Sequence, residues 1–175
     1  MLLFFLKVIK ARQECYLNKV TATETVMEIP LQDLLNHTAI RLLKGLNLDF
    51  PKYYEIHLTL IVKYGFDETN CKNYKQKANQ SGASCSNLFC SSLLPLQKMN
   101  KKYWTNPRPS STRFCRPIQI AFEKETNEST KAKEAWIKSQ IDELQDFIFK
   151  GCKLSFELIL TMVDGKVKIH NIFDI

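Results

Sequence analysis

Two aspartates carry the strongest chemical possibility in this chain. Asp67 follows an apolar run in Gly65-Phe66-Asp67, and Asp164 follows another in Met162-Val163-Asp164-Gly165. Carboxylates brought together can share a hard divalent cation such as Mg²⁺, which prefers oxygen ligands and keeps several waters. Two such ions roughly 3.5–4 Å apart stabilise both the attacking and the leaving oxygen in phosphodiester chemistry. Spacing alone leaves plainer roles open. Asp164-Gly165 also suits a hairpin corner, and Asp67 suits a cap on the loop it opens.

A second chemistry is electrostatic. From Cys71 to Arg116 there are nine basic residues and no acidic one: Lys72, Lys75, Lys77, Lys98, Lys101, Lys102, Arg108, Arg113 and Arg116. Tyr74, Tyr103, Trp104 and Phe114 are interleaved with them. A single-sign stretch with aromatics among the bases is what a phosphate-backbone contact surface needs. Lys98, Lys101, Lys102, Arg108, Arg113 and Arg116 are the candidate phosphate contacts. A solvated loop in a basic protein is the plainer reading.

These residues need elements to position them. Pro30 opens a helical pattern with Leu31, Leu34, Leu35, Ala39, Leu42, Leu43 and Leu46 on one face, and Gly45 and Asn47 offer its stop. Residues 53–64 read as a strand, with Asp67 just past its end. Residues 87–96 read as a second strand ended by Pro95. Residues 98–116 read as a basic loop, since Pro107 and Pro109 deny helix. Residues 117–122 read as a third strand. Residues 129–149 read as an amphipathic helix through Ile137, Ile141, Leu144 and Ile148, with Glu134 and Lys138 ordered for an i,i+4 pair. Gly151 reads as its C-terminal cap. Residues 153–163 read as a fourth strand, and 166–173 as a possible returning hairpin. The order is helix, then β-β-β-α-β. A helical crossover lets the fourth strand lie parallel to an earlier one. If strands one and four are parallel neighbours, both carboxylates emerge at one edge of the sheet, where ligand sites of α/β sheets tend to form.

Composition bounds the rest. The chain has 175 residues and a formal net charge of +7, and that length fits one domain, or one domain with an appended segment. Its 11 Phe against five Gly and six Pro exclude disorder of the whole chain. No run is long and apolar enough for a membrane helix, so no membrane partner is expected. The start, Met1 to Leu6, lacks a basic n-region and a cleavage site, and reads as a buried strand or helix rather than a signal peptide. The six cysteines (15, 71, 85, 90, 115 and 152) lack metal-ligand spacing and read as free thiols. Paired, and joined with the three sequons at Asn36, Asn79 and Asn127, they would instead suit a secreted glycoprotein.

Specific strings point further. GFDETNCKNYKQKA (65–78), SNLFCSSLLPLQ (86–97), WTNPRPSSTRFCRPIQIAFEKET (104–126) and LTMVDGKV (160–167) resemble the RNase H-like core of Transib-type transposases. These are relatives of the V(D)J recombination-activating protein 1. The resemblance covers roughly residues 50–170, and its most distinctive part is WTNPRPSSTRFCRPI. It implies a mixed α/β fold: a partial RNase H-like β-β-β-α-β sheet at 50–175, preceded by a helical segment at 1–49. It implies that Asp67 and Asp164 are two members of a DDE triad that binds Mg²⁺ or Mn²⁺ and cleaves and transfers DNA strands. It also implies nuclear localisation, DNA as partner and a homodimer.

The departures define the expectation. The family has a small residue after the first Asp, whereas Glu68 stands here and adds a charge beside the proposed metal site. The family's third acid lies far downstream, and this chain stops eleven residues after Asp164. The expectation is a catalytically incomplete DNA-binding domain, inactive alone, or one whose missing Glu comes from a partner chain. The rival expectations are the secreted, disulfide-bonded glycoprotein and an intracellular protein-interaction module docking through a sheet edge or the 129–149 helix.

Overall fold

The computed structural model describes residues 17, 19–45, 56–69, 88–98, 104–108 and 114–163. In chain order these form β1 (Thr21–Ala22), β2 (Val26–Glu28), α1 (Leu31–Gly45), β3 (Ile56–Thr69), β4 (Leu88–Lys98), β5 (Trp104–Thr105), β6 (Arg116–Ala121), α2 (Asn127–Asp142), β7 (Phe147–Phe149) and β8 (Cys152–Val163). The protein is mixed α/β. One sheet runs β1-β2-β6-β4-β3-β8-β7, with β5 added to β4. All its pairs are antiparallel except the parallel pair of β3 with β8. The crossover reading therefore holds: α2 lies between β6 and β8 in sequence, and strands one and four are parallel neighbours.

Strand alternation sorts the central side chains onto two faces. Leu58, Leu60, Val62, Tyr64 and Phe66 of β3 join Phe89 and Leu93 of β4, Ile118 of β6, and Cys152 and Leu154 of β8 in one core. Both helices cover this face. α1 contributes Leu31, Leu34, Leu35, Ala39 and Leu43, and α2 contributes Ile137. The part of residues 1–49 that is described thus supplies two strands as well as the helix, all against this sheet and core.

Side-chain amides lock the helices together. The Leu31 N–H, an orphan donor of the first helical turn, donates to Gln140 Oε1 at 2.9 Å. Gln32 exchanges two bonds with the Gln145 backbone, at 3.2 and 2.8 Å. At the start of α2, Thr126 Oγ1 accepts from the Ser129 N–H at 3.1 Å, and Ser129 Oγ accepts from the Thr126 N–H at 2.9 Å. This reciprocal box fixes the helix start. The expected Glu134–Lys138 pair forms at 2.8 Å.

Four boundaries differ from the sequence reading. β3 runs five residues past Tyr64 because Phe66 stays in the core and stacks on Phe89, with ring centroids 6.1 Å apart. Pro95 does not end β4. The register shifts there from Val62 with Pro95 to Ile61 with Gln97, leaving Leu96 extra, and such a bulge tolerates the missing N–H. Within the basic stretch, Trp104 and Thr105 pair with Lys98 and Gln97 as a short strand. Finally, α2 ends at Asp142 rather than 149. Phe147-Ile148-Phe149 satisfies period two as well as the helical spacing, and it pairs with β8. Gly151 is therefore not a helix cap. Lys150 and Gly151 sit at φ 49° and 74°, the double positive φ of a two-residue type I′ hairpin turn. The expectations for 1–16 and 166–173 lie outside the described residues.

Candidate functional site

Asp67 lies inside β3 rather than past its end, paired antiparallel with Cys90. Because Phe66 faces the helices, Asp67 points to the opposite face, where it is exposed. The same alternation turns Glu68 to the helix side, so the two neighbouring carboxylates do not share a face. The last described pair of β3 with β8 is Phe66 with Val163. Each of these residues immediately precedes one of the two aspartates in sequence. Asp164 itself lies outside the described residues.

Oxygen donors of this type suit Mg²⁺ or Mn²⁺, and Asp67 is the one carboxylate of the pair whose exposure is on view. Cys90 is its antiparallel neighbour on β4. Burial, then Cys115 and Asp67, push its thiol up from 9.0 to about 11, so it stays protonated at neutral pH. Among the described residues no group of three or more His, Cys, Asp or Glu is placed to hold a metal. Glu157 shares the face of Asp67, but it sits opposite Ile61, six positions down the strand. At about 3.3 Å per residue it is too far to complete a site.

The basic candidates separate. Lys101, Lys102 and Arg113 lie outside the described residues, and Lys98 is placed by its backbone, opposite Trp104. Arg108 is exposed on a turn held by buried Asn106. The Asn106 Oδ1 accepts from the Arg108 N–H at 2.9 Å, and its Nδ2 donates to the Pro95 carbonyl at 3.0 Å. Arg116 starts β6 and is half-buried on the helix side of the sheet. It does not share a face with Asp67. It lines a pocket of about 310 Å³ with Thr38, Arg41 and Leu42 of α1, Pro95 of β4, and Phe114. Arg41 is the residue that sequence reasoning missed. Nothing in its local pattern signals it, because the pocket exists only once α1 packs across the sheet.

The described cysteines, Cys90, Cys115 and Cys152, are free thiols. Two of the sequons sit in regular structure. Asn36 is mid-helix in α1, where its Oδ1 accepts from Gln32 Nε2 at 2.9 Å, and Thr38 is buried with its hydroxyl donating to the Leu34 carbonyl at 2.7 Å. Asn127 is the first residue of α2, and its Ser129 hydroxyl is engaged in the capping box. Asn79 lies outside the described residues.

No family model matches this chain, and no curated protein matches it.

Proposed function

We propose that this chain is a transposase-derived DNA-binding domain with an RNase H-type metal site, in which Asp67 and Asp164 hold Mg²⁺ or Mn²⁺. The observation that carries the reading is the parallel pairing of β3 with β8 up to Phe66 and Val163, one residue short of each aspartate. The strand sequence β3-β4-β6-α2-β8, with its antiparallel meander and parallel fourth strand, supports the β-β-β-α-β order of the RNase H type. Two carboxylates bind one cation weakly, and in-line phosphodiester attack needs both ions positioned. Strand cleavage therefore requires a third acid beyond Asp67 and Asp164. Nuclear localisation belongs to the same reading. The exposed Arg108 and the basic residues around it would neutralise phosphates, so affinity for duplex DNA falls with salt.

Calorimetric titration of Mn²⁺ tests the reading. Saturable binding that weakens about tenfold or more in both Asp67→Ala and Asp164→Ala is expected. Binding that ignores both substitutions, or no binding, removes the metal site from the proposal. The free thiols among the described residues and the helical placement of Asn36 weigh against the secreted glycoprotein, since glycan acceptors are surface loops.

A further inference from the structure

β8 is much longer than the strand on its outer side. β7 pairs with Cys152, Lys153 and Leu154 and goes no further. Before β7 the chain turns away toward α1, where the Gln145 N–H donates to Gln32 Oε1 at 2.8 Å and the Gln145 carbonyl accepts from Gln32 Nε2 at 3.2 Å. Among the described residues no strand pairs with β8 beyond Leu154 on the side away from β3. One hydrogen bond fixes which backbone groups face that side. The Gly151 carbonyl accepts from the Ile56 N–H, next to β3, at 3.2 Å. The register with β3 then runs unshifted from Cys152 to Leu160. Backbone groups alternate sides along a strand, so Phe156, Leu158 and Leu160 turn their N–H and C=O outward. Their side chains pack against the core on the helix side. Glu157 and Ile159 are exposed on the other face, Ile159 by 40%. The run Phe-Glu-Leu-Ile-Leu has one charge and none of the Lys or Pro that commonly guard an edge.

We propose that this edge is a dimer interface, in which Phe156 to Leu160 of two copies pair antiparallel about a twofold axis at Leu158. That register sets Leu158 opposite the partner's Leu158, and Phe156 opposite the partner's Leu160. Every such pair joins two outward-facing residues, which exchange both N–H···O bonds in an antiparallel ladder. The outward backbone groups of all three residues are then satisfied in both copies. On the helix side the apolar row continues from one core into the other. On the opposite face Glu157 meets the partner's Ile159, so like charges do not stand opposite each other. Neighbouring axes fit less well. An axis at Glu157 sets glutamate against glutamate. An axis at Ile159 pairs Phe156 with position 162, beyond the register shift that follows Leu160. The occupant is a second copy because the strand is its own complement, as an isologous contact requires. A ladder this short buries less than a standard interface, so the dimer is expected to dissociate on dilution. Nothing in it depends on Asp67, Asp164 or a nucleic acid.

Sedimentation velocity of the full chain, from about 1 μM to 1 mM, tests the interface. A monomer–dimer equilibrium with no larger species is expected. Ile159→Glu should weaken the dimer about threefold or more, since it faces the partner's Glu157 twice across the axis. Ile159→Lys should hold the dimer as tightly as wild type or more tightly, because the new cation faces the same glutamate. Glu157→Lys combined with Ile159→Glu should restore association. Both positions are exposed, so the variants should keep the wild-type circular dichroism spectrum. A wild type that stays monomeric throughout the range overturns the proposal. So does a dimer that weakens alike in Ile159→Glu and Ile159→Lys, or one that ignores both.

Discussion

Cys90 reports on Asp67 without any metal present. Its thiol is pushed up from 9.0 to about 11, first by burial and then by Cys115 and Asp67. The folded chain therefore holds this proton more tightly than the unfolded chain. The stability that follows is whole below pH 9 and falls as the pH rises through about 11. Asp67→Asn removes one of the negative neighbours and should bring the Cys90 thiol down, by less than burial raises it. The pH dependence of Cys90 alkylation, resolved by peptide mass spectrometry, measures this. An unchanged profile would mean that the Asp67 carboxylate does not reach Cys90, and the carboxylate site would lose its anchor. Asp67 was legible as a chemical residue from its type and its place beside a strand. Its face was not, because that depended on how far β3 continues.

At the scale of elements, the β7–β8 hairpin turns on two residues. Lys150 and Gly151 both take positive φ, and a Cβ built on Gly151 meets nothing within 4 Å. The cost of Gly151→Ala is then conformational rather than steric crowding from neighbours, about 1–2 kcal/mol for an L-residue held in the left-handed region. Urea unfolding should show that loss, and an unchanged midpoint would refute the hairpin turn. The sequence offered this glycine as a helix cap because Phe147 to Phe149 fits a helical face and a strand equally well. Cross-strand pairing with Cys152 to Leu154 decides between them, and that pairing is a tertiary fact. α1 was legible almost to its ends, since its apolar stripe allows one period and Pro30 and Gly45 bracket it.

At the scale of the molecule, the sheet is held by two helices on one face, and α2 docks chiefly through Ile137, which is fully buried. Ile137→Ala should cost about 2–5 kcal/mol, the range for a buried aliphatic truncated in a packed core. Ile148, which the sequence placed on the same helical stripe, is 67% exposed in β7. Ile148→Ala should stay within about 0.5 kcal/mol. Equal losses at the two positions, read by urea unfolding, would restore one long helix through residue 149 and contradict the fold. The packing of α1 across the sheet brings Arg41 and Arg116 to one pocket, so the whole-molecule arrangement creates a cavity that neither segment encodes.

The sequence by itself determined the mixed α/β class, the order of the four main strands and the two helices, and the chemical types at Asp67, Arg108 and Arg116. Those follow from periodicity and residue type, which are local. Tertiary contacts set the parallel pairing of β3 with β8, the parting of Asp67 and Glu68 to opposite faces, and the placing of Arg116 on the side of α1. They also set where β3, β4 and α2 stop. Each of these depends on partners distant in the chain, and hydrogen-bond register and shared burial, rather than local propensity, set the outcome.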